Sequence, residues 1–337
     1  MAYSSAKVLI TGGAGLVGSH IASHMVKTGH DVTVLDNLKS GSVDNIRHLL
    51  GKKGFKFVNF DVVKLEGQVR AVRNCDVVFH CASVRRGKGE ENVAATKGLL
   101  GALAEAGAKL LFLRSTALVY GNALVIPTPE DYSPLKPTTP FASSKLECER
   151  LIAEFGATHG CTTVIARFAN IVGGRSFHGV VRDYVERLRN DPTRLRVLGD
   201  GYQVRSYVHI DDVVAAVDAI VEHATEGTQV YNVGAKDAMN MYGVAKTISE
   251  EMGLPQPEYI STGSYSSGGA WPGDPRIVFP DTQKITALGW GAGLRSREAV
   301  KKATIEALSF VQPPGRPAKD ASEHWSRYMR GSPVASE

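Results

Sequence analysis

The chain has 337 residues, 43% of them apolar and 22% charged, with a formal net charge of +5. That length buries a substantial core in one large domain or two closely joined ones, and the mild, scattered positive charge argues against a nucleic-acid partner while suiting a small anionic ligand. No apolar run reaches the ~20 residues that a membrane helix needs. Met1–Gly13 holds no signal-peptide apolar core, and Cys75, Cys81, Cys148 and Cys161 form neither a CxxC pair nor a metal-type spacing. We therefore expect a cytoplasmic protein with reduced core thiols, no membrane partner and no metal.

In chain order, Lys7–Thr11 (KVLIT) reads as a first strand, followed by a glycine turn and a helix over Leu16–Thr28. Asp31–Leu35 (DVTVL), Phe55–Asn59 and Asp76–His80 (DVVFH) read as the second to fourth strands, and Asn92–Ala106 as a helix. Lys109–Arg114 (KLLFLR) reads as a fifth strand, Phe141–His159 as a long helix and Thr162–Arg167 as a sixth strand. Near-continuous apolar strands alternating with helices predict a parallel sheet covered on both faces. Right-handed crossovers make it a doubly wound, Rossmann-type α/β fold. Further on, Asp211–His223, Met239–Met252 and Arg295–Phe310 carry helical patterns, and Pro255–Pro280 is rich in Gly and Pro. These predict a smaller C-terminal domain. From Val311 the tail is polar, with an isolated Trp325 to which we assign no role.

The turn after the first strand carries Gly12, Gly15 and Gly18 in a GxxGxxG arrangement. In that context the first glycine permits a tight turn, the second lets backbone approach a pyrophosphate, and the third lets helix pack on strand. The helix mouth at Leu16 and Val17 then offers N–H groups and a partial positive charge to phosphate. Asp36, followed by Asn37, ends the second strand 18 residues beyond Gly18. A carboxylate there accepts hydrogen bonds from ribose hydroxyls and repels a 2′-phosphate, so we expect NAD rather than NADP, even with Lys39 nearby. This places an NAD-binding domain at 1–170, with 205–235 returning to it, a mainly substrate-binding domain at 171–310 and the tail at 311–337.

Nine motifs occur in order: TGGAGLVG (Thr11–Gly18), LDNL (Leu35–Leu38), FDV (Phe60–Val62), FHCAS (Phe79–Ser83), NVAAT (Asn92–Thr96), RSTALVYG (Arg114–Gly121), FASSK (Phe141–Lys145), RFANIVG (Arg167–Gly173) and RSYVHIDD (Arg205–Asp212). On them the chain resembles the extended short-chain dehydrogenase/reductase family, most closely its UDP-glucose 4-epimerase group, from about Lys7 to about Phe310. The resemblance implies that Asp61 and Val62 flank the adenine, that Cys81, Ala82 and Ser83 line the pyrophosphate and nicotinamide ribose, and that Asn92 orders that segment. It implies Lys145 on the nicotinamide ribose, Phe168 on the cofactor side, Asn170 on the sugar diphosphate and Arg205 on a phosphate. Val180, Arg196 and Asp274 complete the implied substrate side. Three residues before Asp274, where well-known epimerases have Arg, this chain has Trp271. Relatives form homodimers through the helices that here span Asn92–Ala106 and Phe141–His159.

The implied activity is NAD-dependent epimerisation of a UDP-sugar at C4, of the UDP-glucose/UDP-galactose type. It needs a base on the carbinol proton while hydride leaves the carbon, and the family uses a Tyr with a Lys four residues later, which a helix places on one face. A Ser or Thr on the preceding strand hydrogen-bonds the reacting oxygen. Thr116 and Lys145 are present, but the Tyr position holds Phe141. Two explanations stay open: a Tyr-to-Phe change that holds substrate without turnover, or a departure in which another group, water or the substrate moves the proton, or activity is lost. Ala117 and Leu118 follow Thr116, so the acid that dehydratases carry there is missing, which favours 4-epimerase. The alternatives are another NAD-dependent nucleotide-sugar oxidoreductase or dehydratase, or a non-catalytic NAD-binding homologue. Arg85, Arg86 and Lys88 lie on a link to Asn92 that is short for the family; they form either a solvated basic loop or contacts to an anionic sugar or phosphate. Tyr120 packs under the strand end or serves the site, and His178 is an ordinary loop histidine or a catalytic one.

Overall fold

The computed structural model describes residues 5–65, 72–85, 87, 89–176 and 178–309. Arg86, Lys88 and the expected tail at 311–337 lie outside them. The first half alternates β1 (Lys7–Thr11), α1 (Leu16–Lys27), β2 (Asp31–Asp36), β3 (Phe55–Asn59), β4 (Val77–His80), α2 (Glu90–Ala106), β5 (Leu110–Thr116), α3 (Pro140–His159) and β6 (Thr162–Phe168). The second half holds β7 (Asn170–Val172), α4 (Val180–Asn190), β8 (Arg194–Val197), β9 (Val204–Arg205), β10 (Tyr207–His209), α5 (Ile210–Glu222), β11 (Thr228–Val233), β12 (Met239–Asn240), α6 (Met241–Glu251), β13 (Glu258–Ser261), β14 (Ile277–Val278), α7 (Gln283–Thr286) and α8 (Ser296–Ser309).

Seven strands form one sheet in the order β11-β6-β5-β4-β1-β2-β3, every pair parallel. The chain moves outward from β1 to β3, then returns to β4 on the other side of β1 and continues outward to β11. The switch point therefore lies between β1 and β4, where open α/β sheets bind ligands at the carboxyl ends of the strands. One face of the sheet packs Ile10, Phe79 and Phe112 against Ile21 of α1 and Val213 and Ile220 of α5. The other packs Leu9, Leu111 and Leu113 against Leu99 and Leu103 of α2 and Ile152 of α3. This two-sided burial is why the strands read as unbroken apolar runs. A third core, with Val185 and Leu188 of α4, Ile248 of α6 and Val300 of α8, supports the second lobe.

Local chemistry sets the boundaries. Thr139 accepts from the Ala142 N–H (3.2 Å) and Pro140 occupies the first turn, so α3 starts at Pro140. At its far end Gly160 adopts φ +64°. β5 runs two residues past Arg114 because Ser115 and Thr116 continue the register onto Arg167 and Phe168 of β6. Several elements of the second half go beyond the sequence reading, among them α4 and β11, the seventh strand of the main sheet, which pairs with β6 from Thr228↔Thr163 to Val233↔Phe168. The turn-rich stretch before Pro280 contributes β13, paired with β8, and β14, paired with β9.

Candidate active site at the sheet switch point

The glycine turn closes the carboxyl end of β1. Gly12 has φ +69°, and a Cβ there would stand 2.5 Å from the Ala82 nitrogen, so this glycine sets the close approach of the turn to the segment after β4. A Cβ at Gly18 would stand 2.4 Å from the Gly12 carbonyl oxygen, which is the contact that seats α1 on the strand. At Gly15 the nearest neighbour is 3.3 Å away. Gly15 is also the N-cap of α1, with no side-chain cap and no acid in the first turn that continues through Leu16, Val17 and Gly18. That leaves a helix N-terminus suited to an anion.

Asp36 is buried at the end of β2. Its Oδ2 accepts from the Ala14 N–H (2.9 Å) and its Oδ1 from the Leu38 N–H (2.8 Å), so the carboxylate also braces the glycine turn. Burial pushes its pKa above the ordinary carboxylate value, against the pull of those two N–H groups. Asn37 follows. Asp61 accepts from Lys39 Nζ (3.2 Å) and from the Val63 N–H (3.2 Å), beside buried Val62. Lys39 is thereby drawn toward Asp61 rather than Asp36.

On the other side of the switch point, buried polar groups link the segments. Thr96 donates to the Asn92 carbonyl (2.9 Å) and accepts from His80 Nε2 (3.0 Å), leaving His80 Nδ1 to accept from Thr11 (2.7 Å). Burial, with Lys145 nearby, lowers the His80 pKa to about 3, so the ring is neutral. Asn92 accepts from the Val84 N–H (2.7 Å) and donates to the Val84 carbonyl (2.9 Å) and to Ser144 (2.9 Å), fixing the segment Cys81–Ala82–Ser83 from behind. Ser83 Oγ is buried with no hydrogen-bond partner.

Lys145 projects from α3, and its Nζ too is buried without a partner. Burial lowers its pKa to about 8, with Arg114 adding to the effect. One helical turn earlier, the half-buried Phe141 ring has the Arg85 guanidinium carbon 5.7 Å from its centroid. Thr116 is half-buried at the end of β5, where its Oγ1 accepts from the Leu118 N–H (3.2 Å), and Phe168 lies beside it in register on β6. Thr116, Phe141, Lys145 and the glycine turn therefore gather at one end of the sheet.

The remaining candidates are spread over the second lobe. Arg205 and Asp274 meet each other, buried, with Arg205 Nη2 donating to Asp274 Oδ1 (2.7 Å) and to the Pro275 carbonyl (2.7 Å). Asn170 is half-buried on β7 and Val180 starts α4, packed on the third core. Arg196 is exposed on β8. Tyr120 belongs to a buried network instead of an open site: its hydroxyl donates to Asn232 Oδ1 (2.8 Å) and accepts from Arg167 (3.1 Å). Arg167 in turn holds Glu149 (2.8 Å), which also accepts from Ser115. His178 is exposed. The sequence reading assigns no role to Arg114, whose Nε is buried without a partner. Its signal was present as a charge closing an otherwise apolar strand.

A doubly wound parallel sheet, with a glycine turn at its switch point and a buried Lys on the helix after β5, defines the class: a Rossmann-type nucleotide-binding protein. Residues 8–234 match the model of the NAD dependent epimerase/dehydratase family, and the chain belongs to that family. It is 28% identical over 314 residues to a UDP-glucose 4-epimerase of Lactobacillus helveticus, covering 84% of this chain and 91% of the relative. It is also 28% identical over 314 residues to UDP-glucuronic acid decarboxylase 1 of Xenopus tropicalis, covering 88% of this chain and 70% of the relative. Among solved structures, that of Thermus thermophilus UDP-glucose 4-epimerase in complex with NAD superposes with a TM-score of 0.79 at 30% identity, covering 90% of this chain and all of that one (100%). Epimerase and decarboxylase relatives match at equal identity, so the reaction has to be read from this chain's own side chains. Among the described residues, no helix is long and apolar enough to cross a membrane.

Proposed function

We propose that the chain binds NAD at the switch point and acts on a UDP-sugar at C4, as a 4-epimerase whose acid–base step is weakened by Phe141. The observation that carries this reading is the pair of buried, unpartnered groups, Lys145 Nζ on α3 and Ser83 Oγ on the segment after β4, against which the glycine turn packs. A buried ammonium without a partner is costly, and ribose hydroxyls would supply what both groups lack. Asp36, at the end of β2, would take the adenosine ribose, and the Gly15–Gly18 helix mouth the pyrophosphate.

Bound there, the nicotinamide supplies the acceptor and then the donor of hydride. Thr116 would hold the carbinol oxygen. Lys145 would hold the ribose and favour loss of a proton from a neighbouring hydroxyl. Phe141 fills the place of the acid–base group with a ring that has no proton to give. The absence of an acid after Thr116, where Ala117 and Leu118 stand, favours epimerisation over dehydration. Arg205 and Asp274 would meet the nucleotide together, as a pair already joined. The test is calorimetric titration with NAD, then UDP-glucose/UDP-galactose interconversion by the chain and by Phe141→Tyr. Failure to bind NAD rejects the reading at its root. NAD binding without turnover in Phe141→Tyr points to the non-catalytic alternative.

A further inference from the structure

Two guanidinium groups stand at this site that the reading above does not use. Arg114 lies on the same face of β5 as Thr116, because side chains alternate along a strand, while Ser115 turns the other way to Glu149. The register His80↔Leu113 carries Arg114 alongside Cys81, the residue after β4. Its Nε is fully buried with no hydrogen-bond partner, as is Lys145 Nζ. Arg85, on the short link after Ser83, reaches over Phe141, the residue one turn before Lys145.

The charges of these groups act on one another: burial first, then Arg85, lowers the Arg114 pKa, and Arg114 contributes to lowering that of Lys145. Of the two carboxylates that follow Lys145 on α3, Glu147 is paired with Arg150 at the exposed face and Glu149 is taken up by Arg167 and Ser115. A buried guanidinium nitrogen and a buried ammonium without partners, as on Arg114 and Lys145, are costly until polar or anionic groups join them. The helix mouth that suits the cofactor's phosphates follows β1, two strands from β5 and so about 10 Å away at the usual ~4.8 Å strand spacing. The segment Cys81–Ala82, against which the glycine turn packs, lies between that mouth and Arg114, so Arg114 stands on the side of the segment away from the helix mouth.

We infer that Arg114 and Arg85 form a receptor for a carboxylate on the sugar itself, so that the substrate class is a nucleotide-linked uronate. A planar guanidinium pairs a carboxylate through two parallel N–H bonds, which a neutral hydroxymethyl cannot match. Phe141 serves the receptor as well, because its ring face supports Arg85. The inference rests on the UDP-sugar reading.

Titration of the NAD-loaded protein with UDP-glucuronate, UDP-glucose and UDP tests it. UDP-glucuronate is expected to bind roughly 10- to 100-fold more tightly than UDP-glucose. Arg114→Met is expected to abolish that preference, and Arg85→Met to reduce it, with UDP and NAD affinities unchanged. Arg114→Lys, which keeps the charge but loses the fork, is expected to retain part of the preference and covers the case in which Met prevents folding. Equal affinity for the two sugars, or a preference that survives in Arg114→Met and Arg85→Met, overturns the receptor alone. Loss of NAD affinity in Arg114→Met reassigns that residue to the cofactor and overturns it too. If neither sugar nor UDP binds, the UDP-sugar reading fails with it.

Discussion

Phe141 decides more about this chain than any other single side chain. Its ring stands one turn before Lys145, in the helix register that would place a phenol beside the ammonium. A positioned acid–base group contributes about 10²–10⁴-fold, so Phe141→Tyr should raise kcat for UDP-sugar interconversion by that range, with KM and Tm close to unchanged. A rate that does not move would mean that the proton already has another carrier. The glycine turn separates binding from folding in the same way. Gly18→Ala forces a Cβ to 2.4 Å from the Gly12 oxygen, and overpacking of that kind costs about 1–3 kcal/mol; both Tm and NAD affinity should fall. Gly15→Ala meets only the Gly12 oxygen, at a tight 3.3 Å, so Tm should fall far less than for Gly18→Ala while NAD affinity drops about tenfold or more, read by calorimetry beside a melting curve.

At the scale of elements, α3 ties the site to the core. Lys145 faces the sheet switch point, and four residues on Glu149 is buried against Arg167, with side-chain exposures of 5% and 6%. Removing one partner of such a pair leaves a buried, uncompensated charge and costs about 3–5 kcal/mol, whereas an apolar pair of similar volume is far milder. Glu149→Gln should therefore lower the unfolding free energy in urea by that amount, and the double variant Glu149→Leu, Arg167→Met by clearly less. Equal losses would mean that the Ser115 and Tyr120 bonds matter more than the charge. The alternation of strands and helices from β1 to β6 was legible because the central strands β1, β4, β5 and β6 are buried on both faces and the turns between elements carry Gly, Pro or a cap. The glycine turn and the Phe141–Lys145 spacing were legible because they are local. β11 escaped the reading because Gln229 and Asn232 interrupt its apolar run, and α4 although Val181, Tyr184, Val185 and Leu188 recur at helical spacing after a glycine-rich loop. The Arg205–Asp274 pair spans 69 residues, and no local pattern announces such a contact. Arg114 stands within the RSTALVYG motif, but its unsatisfied Nε depends on which face of β5 the neighbouring elements cover.

For the whole molecule, acid should act through its histidines. His80 joins β1, β4 and α2 at the switch point with a pKa of about 3, and His20 on α1 is held near 4 by burial and then by Arg175. Both folded values lie below the ordinary 6.5. Between 6.5 and those values the unfolded chain binds more protons than the folded one, so stability is lost as pH falls, by up to about 1.4 kcal/mol per pH unit for each histidine. Asp36 works in the opposite direction, because its raised pKa makes the folded state the better proton acceptor as the solution turns acid. The histidine contribution to the loss is therefore steepest a pH unit or more below 6.5, where the rings are nearly all charged in the unfolded chain and still neutral in the folded one. Urea unfolding at a series of pH values from 7.5 to 4.5 should show this slope, and His20→Gln, on a partly accessible face of α1, should flatten it by about one histidine's share. A flat profile across that window would mean that these rings reach water in the folded state, and that the Thr11–His80–Thr96 link does not hold the mouth of the switch point closed.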